Sequence, residues 1–214
     1  MMTRDEALKL LCNYIDDSVS ISTHREYRQE LTKHYDDIFE YFPNKKSLKL
    51  FRGFTLRKIA PDIYYKYLLS SIKGRIDNKL ISSWSSELDV AVGFFDYTNS
   101  QYCDYSLLIK TKVDSNSCIN ATKAIEEVEG FKELYDESEF ILPPVKSLRV
   151  KLIAAYARDE DIYWTHPKYA ADIRKAIALP GTVIVKNLSD FIINIKCLNS
   201  AQKDSILDVL EEIS

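Results

Sequence analysis

Leu50-Phe51-Arg52-Gly53-Phe54 decides how this 214-residue chain is read. The run is apolar on both sides of one charge and one glycine, the texture of a strand. A guanidinium cannot escape burial by losing its proton, so an inward Arg52 is costly unless an anion pairs with it. Its planar fork of donors suits a phosphate or a carboxylate, and Gly53 lets backbone come close to a ligand. The alternative is a surface strand with an ordinary outward arginine.

Before this run the chain is helical. Thr3 with Glu6, and Thr23 with Glu26, have capping-box spacing, so each pair is expected to open a helix. Leu8, Leu11 and Ile15 form one apolar stripe. Tyr27, Leu31, His34, Tyr35, Ile38 and Phe42 form a second, ended by Pro43 and Asn44.

After it, a helix is predicted from Pro61 to Gly74, a strand over 79–84, and a short helix capped by Ser86 with Asp89. Residues 105–113 alternate as a strand with one wet face, and 120–129 hold a short helix stopped by Gly130. Strands are expected over 137–142 and 148–156 around a Pro143-Pro144 turn. The last third offers a helix from Pro167 to Leu179, apolar segments at 182–185 and 191–195, and an amphipathic C-terminal helix.

Composition sets limits. With 29 Lys and Arg against 32 Asp and Glu, the net charge of −3 gives no chain-wide attraction to phosphate polymers, so no sequence-specific nucleic-acid partner is expected. Residues are 46% hydrophobic and 12% aromatic, with five glycines and six prolines, which excludes a disordered or low-complexity chain. No apolar run reaches the ~18 residues of a membrane span, and Arg4, Asp5, Glu6 and Lys9 interrupt any signal-peptide core, so no membrane partner is expected. Cys12, Cys103, Cys118 and Cys197 lie far apart, with no CxxC and no histidine at zinc spacing, which predicts packed, reduced thiols and no metal. His24, His34 and His166 are read as structural, having no nucleophile partner.

Two further segments place polar groups where strands predict burial. In Ser82-Ser83-Trp84-Ser85-Ser86, Ser83 and Ser85 share one strand face and offer two hydroxyls; serines before a helix are also simple caps. In Glu137-Ser138-Glu139, ahead of Phe140-Ile141-Leu142-Pro143, two carboxylates at i and i+2 share a face, with the second set against an apolar run. A solvated glutamate pair is the alternative.

Taken in order and with their flanks, Phe51-Arg52-Gly53, Ser83-Trp84-Ser85 followed by Ala91 and Phe94, and Glu137-x-Glu139 resemble the arginine-serine-glutamate class of mono-ADP-ribosyltransferases, including the small arginine-specific enzymes of phages and bacteria. The resemblance covers residues 47–156. It implies an α+β fold with two small, mainly antiparallel sheets around an NAD cleft, divided into an N-terminal helical cap (1–46), a transferase core (47–158) and a C-terminal extension packed on the same domain (159–214). NAD enters as substrate and no metal is implied. Arg52 would hold the NAD phosphates, Gly53 and Ser85 would line its site, Ser83 would orient Glu139, and Glu139 would be catalytic. Glu137 would select arginine acceptors on a target protein, and Phe131 or Tyr135 in the preceding loop would read that target. The expected compartment is the cytoplasm, that of the host if the chain is phage-encoded; an effector exported without a signal would look the same. The competing readings are an NAD glycohydrolase and a non-catalytic interaction module on the same scaffold.

Overall fold

The computed structural model describes residues 2–16, 20–56, 61–95, 105–128, 138–176 and 183–213, with backbone alone at 21 and 159. Its fold is mixed α+β, a large and mostly antiparallel sheet with helices. The helices are α1 (Arg4–Ile15), α2 (Ile21–Lys33), α3 (Tyr35–Tyr41), α4 (Pro61–Ile72), α5 (Leu88–Phe95), α6 (Ala121–Ile125), α7 (Ala170–Ala176), α8 (Leu188–Asn194) and α9 (Ser200–Ile213). The strands are β1 (Leu48–Leu56), β2 (Arg75–Asn78), β3 (Ser82–Ser85), β4 (Tyr105–Val113), β5 (Ile119–Asn120), β6 (Glu139–Leu142), β7 (Val145–Arg149), β8 (Lys151–Ala157), β9 (Ile162–Thr165) and β10 (Val183–Val185). They fall into two compact units. One comprises Met1–Leu50, Asp77–Glu87 and Lys112–Leu148; the other comprises Phe51–Ile76, Leu88–Thr111 and Arg149–Ser214.

In the first unit, α1 to α3 pack with Ile81, Ile119 and Ile141 into one apolar core. The Thr3 capping box is formed in both directions: the Glu6 amide donates to Thr3 Oγ1 at 3.3 Å, and the Thr3 amide donates to Glu6 Oε2 at 2.8 Å. The second expected box is not the cap. Ser20 Oγ accepts the Thr23 amide at 3.3 Å, so α2 starts one turn earlier and Thr23 lies inside it. The single stripe expected from Tyr27 to Phe42 breaks at His34, whose φ of −105° and ψ of 17° divide it into α2 and α3. Beyond α3, buried Asn44 acts as a four-way tie. Its Oδ1 accepts the amides of Ser117 and Cys118 at 2.7 and 2.9 Å, and its Nδ2 donates to the carbonyls of Lys46 and Asp114 at 2.9 and 2.8 Å. Strands in this unit run in the order β3-β6-β5, all antiparallel.

The second unit runs β10-β9-β8-β4. Its first pair is parallel and the others antiparallel, with a bulge at Ile153 of β8, where Leu108 pairs with Ala154 and Ile109 with Leu152. Residues 105–109 of β4 are buried on both faces, so the wet face expected there is absent. Ala91, Val92 and Phe95 of α5 pack with Leu108, Ile153, Tyr163 and Ile173. The strand expected over 148–156 is two strands parted at Val150, whose amide donates to the Gly74 carbonyl at 2.9 Å; Gly74 itself has a φ of 77°, open to glycine. The apolar segment 191–195 falls mainly in α8, and the C-terminal part of the chain supplies β9, β10 and α7 to α9 to this unit.

Cys12, Cys118 and Cys197 are free thiols, and burial pushes the Cys118 thiol up to about 12; Cys103 lies outside the described residues. No described helix is long and apolar enough to cross a membrane.

Gly53 has a packing reason. A Cβ there would meet the Ala91 carbonyl oxygen at 2.0 Å and the Phe95 amide nitrogen at 2.5 Å, so the bare backbone of β1 lies directly against α5. Gly93, inside α5, has nothing within 4 Å of such a Cβ. In urea unfolding, Gly53→Ala should cost about 3 kcal/mol by overpacking against backbone that cannot yield. Gly93→Ala should instead gain about 0.5–1 kcal/mol from helix propensity. Equal stability of the two variants would contradict this packing.

Candidate functional site

The first unit gathers three of the sequence-predicted residues through one strand pairing. β3 and β6 run antiparallel with Ser82 opposite Leu142, Ser83 opposite Ile141, Trp84 opposite Phe140 and Ser85 opposite Glu139. Directly paired residues share a sheet face, and alternate residues along a strand do too, so Ser83, Ser85 and Glu139 project from the same side. Ser85, not Ser83, sits directly across from Glu139. Ser83 is the diagonal neighbour, within reach of a long side chain.

The opposite face locks the strand. Trp84 is 2% exposed and its indole N–H donates to Ser82 Oγ at 2.8 Å, so the aromatic in the middle of the serine run is a core anchor. The start of β3 is held by Arg28 of α2, whose Nε and Nη2 both donate to the Ile81 carbonyl, at 3.0 and 2.8 Å. On β6, the Tyr35 hydroxyl donates to the Ile141 carbonyl at 3.1 Å and the Thr122 hydroxyl donates to the Glu139 carbonyl at 3.2 Å. Burial raises the Tyr35 phenol above its usual range, which keeps it a neutral donor.

Glu139 is 7% exposed, as the apolar run behind it suggested, and both it and Ser85 are engaged by partners. Ser85 Oγ accepts the Glu87 amide at 3.0 Å as the chain turns toward α5. Ser86, expected to cap that helix, lies two residues before α5 begins at Leu88, and its amide donates to the Ser138 carbonyl at 3.2 Å. Ser138 in turn donates its hydroxyl to Glu87 Oε1 at 2.6 Å. The segments 85–87 and 138–139 are therefore laced together where β3 ends and β6 begins.

Ser138 also corrects one expectation. Its φ of 45° is left-handed, and β6 starts only at Glu139, so the strand alternation invoked to put two carboxylates on one face does not extend back through residue 138. Glu137, Phe131 and Tyr135 lie outside the described residues.

Arg52 and Gly53 belong to the second unit. Arg52 is half-buried in β1 and is engaged rather than free. Its neighbour Phe51 packs edge-on against Tyr169, with ring centroids 6.4 Å apart. Gly53 faces α5 as described above.

Sequence reasoning passed over Tyr14. It lies three residues after Leu11 on the buried side of α1, so the helical period contained the signal, and its hydroxyl is 2.8 Å from Ser83 Oγ. Its ring stacks on His24 with centroids 5.0 Å apart. His166 accepts the Lys168 amide on Nδ1 at 3.2 Å, starting a 3₁₀ turn. Burial first, then Lys151, Lys110 and Lys168, push its imidazole below the usual range. Among the described residues no group of His, Cys, Asp and Glu is placed to hold a metal ion.

The left-handed turn at Ser138 can be tested by urea unfolding. Ser138→Val should cost about 1–2 kcal/mol more than Ser138→Gly, because a β-branched residue is strained there and glycine is not. Equal stability would contradict the turn. No known family model, no curated protein and no solved structure matches the chain.

Proposed function

We propose that the chain is an NAD-dependent mono-ADP-ribosyltransferase that transfers ADP-ribose to arginine side chains of target proteins and releases nicotinamide. One observation carries the reading: a buried glutamate, Glu139, stands directly across a strand pair from Ser85 and on the same face as Ser83. These residues come from the second and third of three motifs that follow one another in the order of the arginine-serine-glutamate class. The fold proposed with it is the one that class implies, two mainly antiparallel sheets about an NAD cleft.

The chemistry asks for such a carboxylate. As the bond between nicotinamide N1 and ribose C1′ breaks, its electron pair leaves on neutral nicotinamide and positive charge builds on the ribose. Glu139 beside the ribose hydroxyls stabilises that charge more than the ground state. A fixed carboxylate at low exposure does so without reorganising water. Arg52 is assigned to the phosphates, where a permanent cation with bidentate geometry suits a pyrophosphate. The acceptor guanidinium carries its proton at any working pH, so a base must take one as its nitrogen bonds to C1′. Glu137 is assigned that proton and the choice of arginine.

Purified protein, labelled NAD and a bacterial lysate test the proposal. Wild-type protein should label lysate proteins and release nicotinamide. Glu139→Gln should lower both by at least about a hundredfold, the scale of removing one transition-state stabiliser. Glu137→Gln should abolish transfer while leaving NAD hydrolysis. Free ADP-ribose without protein labelling in wild type would mark a glycohydrolase, and no NAD turnover would mark a binding module. Equal activity in all three proteins would overturn the carboxylate assignment.

A further inference from the structure

The Tyr14 to Ser83 contact reaches beyond the motifs, because it ties an N-terminal helix to the serine that the transferase reading assigns to the site. Tyr14 is 4% exposed, and a phenol that deep needs a hydrogen-bond partner. Its hydroxyl lies 2.8 Å from Ser83 Oγ, on the sheet face that also carries Ser85 and Glu139. Stacking of the ring on His24 of α2, 5.0 Å between centroids and 29° between planes, fixes its direction.

We propose that Tyr14 is a positioning residue of the NAD site, its hydroxyl setting the rotor and donor direction of the Ser83 hydroxyl. This rests on the transferase reading above. A serine hydroxyl has one proton and two lone pairs, and left alone its rotor turns freely. A phenol is the more acidic of the two hydroxyls and therefore the better donor. With Tyr14 donating to Ser83 Oγ, the Ser83 proton is turned away from α1 and toward a second acceptor on its own face, where Glu139 or a ribose hydroxyl of bound NAD provides one. Helix α1 thus contributes a positioning group to the site. Tyr14 touches neither NAD nor the reacting atoms; it acts through Ser83.

The test is nicotinamide release by wild type, Tyr14→Phe, Ser83→Ala and the double variant, with thermal unfolding recorded for each. Tyr14→Phe keeps the ring, the stack and the core, and removes one hydroxyl. The expected result is a loss of about tenfold in kcat with KM for NAD changed less than about twofold, as for a lost hydrogen bond felt in the transition state. The unfolding midpoint should hold, and adding Tyr14→Phe to Ser83→Ala should cost nothing further. Wild-type kcat in Tyr14→Phe overturns the inference, as does its full loss repeated in the Ser83→Ala background or a loss that only tracks unfolding. No turnover by wild type overturns the transferase reading and this inference with it, whereas an active wild type with an indifferent Tyr14 overturns this inference alone.

Discussion

The pairing of β3 with β6 is the constraint on which the site depends. Side-chain period in a strand is two, so a slip of one residue would send Glu139 to the Trp84 face and bring Phe140 to the serine face. The register is set from both sides. Trp84, Phe140 and Leu142 are buried on one face and Ile141 on the other, while backbone ties at Ile81, Ile141 and Glu139 fix the strands lengthwise. Apolar burial decides which residues face which way, and it leaves Ser83, Ser85 and Glu139 together on one face.

Much of this was legible in the sequence because it rests on short-range rules. The Thr3 box, the Pro61 helix, the β1 run and the C-terminal helix follow from capping, proline geometry and apolar period, and each is present. Trp84 between paired serines announced alternation, and the register bears out a shared face for Ser83 and Ser85. What escaped was decided partly by close local competition and partly by groups distant in the chain. Ser20 won the cap of α2 over Thr23, and a break at His34 cut one stripe in two. The amide of Ser86 was drawn to Ser138, fifty-two positions later, and no local pattern carries that information. The wet face holds at Lys110 and Lys112, whereas burial of residues 105–109 on both faces arises from packing that this alternation concealed.

Glycine and serine carry different lessons. Gly53 reads from sequence as room for a ligand, and the structure gives a nearer cause in the α5 backbone, 2.0 Å from where its Cβ would lie. Packing against α5 is sufficient reason for that residue. Ser138 reads as a spacer between two acids. It is instead a left-handed hinge bonded to Glu87, which lets the chain enter β6 with Glu139 already committed to its face.

The most direct measurement of the central claim is the carboxyl carbon resonance of Glu139, in protein labelled at glutamate carboxyls and assigned by its absence in Glu139→Gln. Titration with NAD to about 1 mM, the upper range of ordinary substrate constants, should move that resonance saturably. A Glu139 signal indifferent to NAD throughout the titration would contradict the account.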